Sequence, residues 1–222
     1  VGRAPRQPPD PQNRGLYGNL LDPKGAAEAP KAPPVDHVEI PWGEGALCGW
    51  LLRPNTEGAD APTVIVMGGF DGWREEYHVG ATYLLERGIA VLLMDGPGQG
   101  ESRLFHGVRM DHDVDGAYSA MVDFLVADDR VGDKVAIWGN SMGGFLAALA
   151  ASRDPRLAAC VVNGGTNRPA EILDRFHRFT AKVQPLLGIE DPDAATAALN
   201  EYVLTPEELA RLTAPLLVLH GT

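Results

Sequence analysis

From about residue 60 onward, short and fully apolar runs alternate with longer stretches whose apolar residues recur at helical spacing. Residues 63–67, 89–94, 134–138, 157–162 and 216–219 are expected strands, and most of them end in Gly, Asp or Asn. Residues 75–86, 111–126 and 142–151 have the length and apolar spacing of helices that lie on a sheet. Strands buried on both faces read as continuous apolar runs, so the expected class is α/β, a mostly parallel sheet flanked by helices. Upstream, residues 37–42 and 46–52 flank the turn-like Gly43-Glu44-Gly45, which predicts a hairpin. Between residues 167 and 214 the rhythm breaks into consecutive helices where one crossover would suffice. Ile172, Phe176, Phe179 and Val183 recur at helical spacing, Asp191-Pro192 reads as an N-cap with proline after it, and Thr205-Pro-Glu-Glu208 has capping-box spacing. A helical lid over the carboxyl ends of the strands is the expectation, with ordinary core helices as the alternative.

Residues 1–36 hold eight of the 18 prolines and few large apolar residues, so they are expected to form an arm outside the core, which starts at residue 37. The 222 residues suffice for one domain with a sizeable interior. Nineteen basic against 30 acidic residues give a net charge of -11, which argues against a nucleic-acid or anionic-membrane surface. No apolar run approaches a membrane span and no signal peptide opens the chain, so a cytoplasmic protein is expected. Cys48 and Cys160 are far apart in apolar stretches and read as buried reduced thiols. Histidines and cysteines lack ligand spacing, so neither a metal nor an organic cofactor is expected. The expected partner is a small-molecule substrate, and a homodimer is left open. Val1 and Thr222 both read as cut ends.

The strongest chemical signal is Gly139-Asn140-Ser141-Met142-Gly143 between an expected strand and an expected helix. A serine at such a turn is forced into a strained backbone and pushed clear of the sheet, and the flanking glycines relieve crowding. Four serines and 26 glycines would give about 0.05 such patterns by chance, before the context is required. A nucleophile there needs an oxyanion hole, which the N–H of Met142 and a second N–H from Met67-Gly68-Gly69-Phe70-Asp71-Gly72 would form. Phe70 is the expected second donor and Asp71 the alternative; a plain turn is the competing reading of that loop. Asp95-Gly-Pro-Gly-Gln-Gly100 is not a dinucleotide loop, because the spacing differs, Pro97 lacks an N–H and no clean helix is expected after it. It reads as a structural turn beneath the site, with Asp95 bracing it.

Together, Gly68 to Glu76, Asp95 to Gly100, Gly139 to Gly144 and Leu219-His-Gly221 resemble the alpha/beta-hydrolase family, over residues 37–222. More narrowly, they are similar to the branch that includes 2,6-dihydroxypseudooxynicotine hydrolase and fungal polyketide-shortening hydrolases. The resemblance implies a serine nucleophile at Ser141, cleavage of a carbon–carbon bond beside a ketone or of an ester, and an active-site acid at Asp71. It also implies a triad order of Ser, acid and His, whose last two members and final strand would lie beyond Thr222. None of the six histidines sits where the fold places the general base; His78 and His106 are left between a pocket role and a packing role. A lid carrying Phe176, Phe179, Leu186 and Leu187 implies an aromatic or apolar substrate. Without its base the 222-residue chain is expected to turn over little. A non-catalytic hydrolase-like binding domain is the reading from another class.

Overall fold

The computed structural model describes residues 32–55 and 60–221, so most of the expected Pro-rich arm lies outside the described residues. Contacts divide the chain after Pro33, and the body from Pro34 carries every element below. β1 (Val35–Trp42) and β2 (Gly45–Leu52) form the expected hairpin, β1 starting two residues before the expected His37. Gly43 takes the left-handed φ of 55° that so short a turn needs.

Then follow β3 (Thr63–Met67), a 3₁₀ turn (Arg74–Tyr77), α1 (His78–Leu85), β4 (Ala90–Asp95) and α2 (Gly100–Leu104). Next come α3 (Val114–Val126), β5 (Val135–Asn140), α4 (Met142–Arg153) and β6 (Leu157–Asn163). Four more helices, α5 (Glu171–Arg175), α6 (Thr180–Leu187), α7 (Pro192–Asn200) and α8 (Pro206–Leu209), precede β7 (Leu216–Leu219), with a 3₁₀ turn (His177–Phe179) ahead of α6. The expected strands all form. Both expected caps form too: Asp191 Oδ1 accepts from Ala194 N at 2.7 Å, and Thr205 and Glu208 bond reciprocally at 3.1 and 3.2 Å.

Three local expectations need correction. The expected 75–86 helix begins as a 3₁₀ turn, because the Arg74 N–H is drawn to Asp95 Oδ1 at 3.1 Å. Helix α3 starts at Val114, not at 111, because Asp111 Oδ1 accepts from Asp113 N at 3.1 Å and turns the chain first. A helix does open after the Asp95–Gly100 loop: Asp95 Oδ2 accepts from Glu101 N at 3.0 Å, but five residues are too few to show periodicity.

The strand order is β1-β2-β4-β3-β5-β6-β7, with β1 and β2 antiparallel to their neighbours and all other pairs parallel. The chain runs from β3 to β4 on one side, then returns to place β5 on the other. That reversal puts the loops after β3 and β5 side by side at a crevice, where open α/β sheets place ligands. The apolar runs are two-sided as expected. Val91 and Leu93 of β4 pack with Ala81 of α1, whereas Leu92 and Met94 join the larger cluster with α3 and α4. Every residue of α4 from Met142 to Ser152 is buried, so this helix is apolar all round. At the sheet's edge Leu216, Leu217, Val218 and Leu219 of β7 are 44–55% exposed. No helix of the described residues is long and apolar enough to cross a membrane. Cys48 and Cys160 are buried and free, as expected.

Candidate active site

Ser141 occupies the single residue between β5 and α4, with φ 57° and ψ -124°, and its side chain is exposed. Among the described residues it alone combines a positive φ with a side chain. A Cβ clash normally forbids this region, so surrounding bonds must impose it. Ser141 N donates to Asn163 O at 2.8 Å, and Gly144 N donates to Ser141 O at 2.8 Å. The turn is also too tight for side chains at its flanks. A Cβ on Gly139 would lie 1.8 Å from Gly143 O, and one on Gly143 would lie 2.4 Å from Gly68 O. Among the described residues no side chain, imidazole or other, hydrogen-bonds the Ser141 hydroxyl.

The loop after β3 lies against this serine. A Cβ on Gly69 would come within 2.8 Å of Ser141 Cβ and 3.0 Å of its Oγ, so only glycine admits the approach. Phe70 follows at once, half-buried, while Met142 begins α4 and is 2% exposed. The two expected donors thus stand on adjacent loops. Two amides anchor the arrangement. Asn140 Nδ2 donates to Met67 O at 3.2 Å, and Asn140 Oδ1 accepts from Asn163 Nδ2 at 2.9 Å. Gln99, buried in the Asp95–Gly100 turn, donates through Nε2 to Gly68 O and Gly69 O, both at 2.8 Å, and accepts from Gly96 N at 2.9 Å. The turn is therefore structural, as expected. A Cβ on Gly100 would meet the Asp95 carboxylate.

Beneath that turn lies an ion cluster that the sequence reading missed. Arg74, 5% exposed, reaches Asp95 Oδ2 at 3.1 Å and Glu75 Oε1 at 3.0 Å, and pairs with Glu101 Oε2. His37 Nε2 lies 3.2 Å from the same Glu101 oxygen, and Trp50 Nε1 donates to Glu75 at 3.2 Å. The two central acids respond in opposite directions. Burial pushes Asp95 up to about 6 despite Arg74, whereas the bond from His37, aided by Arg74, holds Glu101 down to about 2. Arg-Glu-Glu beside an apolar strand was the only signal for this cluster, and it reads equally as a solvated charge run.

The helices after β6 reach the oxyanion-side loop. Phe70 packs on Phe179 with ring centroids 5.6 Å apart, and Phe176 meets Phe179 edge-on at 6.3 Å. Arg178 lies over both of these rings, at 5.0 and 4.9 Å. Asp71 is exposed and pairs with Lys182 Nζ. Leu186 O accepts from Met110 N at 3.0 Å. Leu186 and Leu187 are buried, so of the four apolar residues expected to face substrate, Phe176 alone is openly exposed. A cleft lined by His112, Phe145, Leu149, Arg153 and Tyr202 opens farther along α4 and does not include Ser141.

With this geometry, residues 58–202 match a family model described as "Serine aminopeptidase, S33" (Hydrolase_4). The chain is 30% identical over 197 residues to 2,6-dihydropseudooxynicotine hydrolase of Paenarthrobacter nicotinovorans, covering 86% of this chain and 51% of that one. It is 35% identical over 150 residues to Hydrolase LUC6 of a Fusarium species, covering 63% of this chain and 35% of the relative. The solved structure of 2,6-dihydroxy-pseudo-oxynicotine hydrolase superposes with a TM-score of 0.76 at 24% identity, over 97% of this chain and 61% of that one. The chain thus spans about half the length of the first curated relative and about a third of the second.

Proposed function

The chain belongs to the Hydrolase_4 family of alpha/beta-hydrolases, and on that premise we propose that it carries the nucleophile and oxyanion hole of a serine hydrolase. The observation that supports this most is the enforced backbone of Ser141 at the end of β5, with Gly69 packed against its hydroxyl. The strain has no packing benefit, because the side chain it presents is exposed.

In this proposal Ser141 Oγ attacks a carbonyl carbon while a histidine takes its proton, and the N–H groups of Met142 and Phe70 hold the oxyanion. Collapse of the tetrahedral species expels an alkoxide from an ester, or a stabilised carbanion from a ketone, and the histidine returns the proton to it. Water then repeats the cycle to free Ser141. The histidine and its orienting acid are assigned to residues outside the 222 given, consistent with the absence of an imidazole on Ser141 among the described residues. Asp71 is proposed as a further acid at the rim, held by Lys182. Helices α5 to α8 are proposed as the lid. The substrate class proposed is a small aromatic or apolar ketone or ester. Exposed Phe176 and half-buried Phe70 support it, as does the dihydropseudooxynicotine in the first relative's name.

Exposure to a fluorophosphonate probe tests the reading by intact mass and peptide mapping. The native protein from its source should label on Ser141, Ser141→Ala should not, and the 222-residue chain alone should react about a thousandfold more slowly. A native protein that stays unlabelled would favour the non-catalytic binding reading. Fast turnover by the isolated chain, lost in Ser141→Ala, would overturn the assignment of base and acid to other residues.

A further inference from the structure

Cys48, Glu101 and His106 lie far apart in the chain, yet one ligand atom from each falls within 4.8 Å of the other two. The backbone brings them together independently of any ion. Cys48 N donates to Ser102 Oγ at 2.8 Å, and that hydroxyl donates to Asp95 O at 2.5 Å, tying β2 to the first turn of α2. The carbonyl of His106 packs onto β2 so closely that a Cβ on Gly45 would lie 2.4 Å from it. We infer that Cys48 Sγ, Glu101 and His106 form a binding site for a borderline divalent cation of the zinc class, with a fourth position facing water.

The donor set selects that class, since thiolate with imidazole and carboxylate suits zinc and not magnesium or calcium. Metal–ligand bonds of about 2.0–2.3 Å require the widest pair to close by about 1 Å, which a half-buried imidazole ring can supply by rotation. The donors are also available. Arg74 and His37 both bond Glu101 through Oε2, so Oε1 remains for a metal. Among the described residues no group bonds the His106 ring. The Cys48 thiol makes a long contact of 3.9 Å to Ala46 O and lies beside the Ser102 hydroxyl, a donor that would support a metal-bound thiolate. Arg74 is the cation in direct contact with Glu101's network, and Asp95, Glu75 and Glu101 outnumber it, so the surroundings carry surplus negative charge. The sites of cysteine and histidine at 48 and 106 gave no ligand spacing along the chain; only the fold joins them.

Cobalt(II) titration of the 222-residue chain, with zinc as competitor, tests the site. One equivalent should produce a thiolate-to-cobalt charge-transfer band that zinc bleaches. The band should persist in Cys160→Ser and vanish in Cys48→Ser, since the chain has only two cysteines. His106→Ala, at a half-buried position in a turn, should lower cobalt affinity at least tenfold. Zinc should also raise the melting temperature of the parent chain in a concentration-dependent way, but not that of His106→Ala. No thiolate band in the parent chain would overturn the inference. So would a band that survives Cys48→Ser, or full affinity in His106→Ala, which decides the matter if Cys48→Ser does not fold.

Discussion

Ser141 and Asp95 show two ways in which one residue is held where its intrinsic chemistry disfavours it. For Ser141 the constraint is steric; for Asp95 it is electrostatic, because a nearly dry carboxylate shares one guanidinium with Glu75 and Glu101. The Asp95 value of about 6 has a measurable consequence. Between its ordinary value near 3.8 and about 6, the folded state binds more protons than the unfolded chain, so stability falls as pH rises through that window. Melting curves of the parent and Asp95→Asn from pH 4 to 7 should show the parent's advantage shrinking as pH rises, by at most about 3 kcal/mol. A constant difference would mean that Arg74 compensates the buried charge fully. Glu101 acts in the opposite sense, contributing stability above its ordinary value that is lost as pH falls toward about 2. At this scale Ser141 was legible in the sequence because its turn is written in five consecutive residues. Gln99, Arg74 and the pairing of Asp71 with Lys182 were not, because each contact joins segments that only the sheet brings together.

At the scale of elements, apolar runs announced the strands because both faces of the sheet are covered, and α4 followed because its whole surface is buried. Elements shaped by a single side-chain bond escaped: the 3₁₀ turn at Arg74 and the short α2, both set by Asp95. The helices between β6 and β7 were expected, and α6 is the one whose contacts separate packing from charge. Leu186 is 2% exposed and fills the space above Gly98, whereas Lys182 is 43% exposed. Leu186→Ala should cost about 2–4 kcal/mol in denaturant unfolding. Lys182→Ala should cost less than about 1 kcal/mol, because an exposed pair is screened by solvent. Equal losses would mean that α6 is held to the loop by charge and not by its buried leucine.

Across the whole molecule, the reversal of strand order between β4 and β5 places the nucleophile beside its oxyanion loop, and the remaining elements keep those two loops in register. The general architecture was readable from periodicity, whereas the strand order and the ion cluster beneath the site were not. Among the described residues β7 ends the sheet with its flank uncovered, which bears on how the 222-residue chain on its own behaves as a colloid. Four consecutive aliphatic residues on an edge strand favour sheet-to-sheet contact between copies, and a net charge of -11 opposes that approach. Added salt shortens the reach of the repulsion to about 10 Å at 0.1 M while leaving the apolar attraction intact. Light scattering of the 222-residue chain should therefore rise with ionic strength, and Val218→Lys should suppress the rise. Scattering that falls with salt would point to contacts made by ion pairs. Dilute, low-salt buffer is then the condition in which single molecules of this chain can be studied.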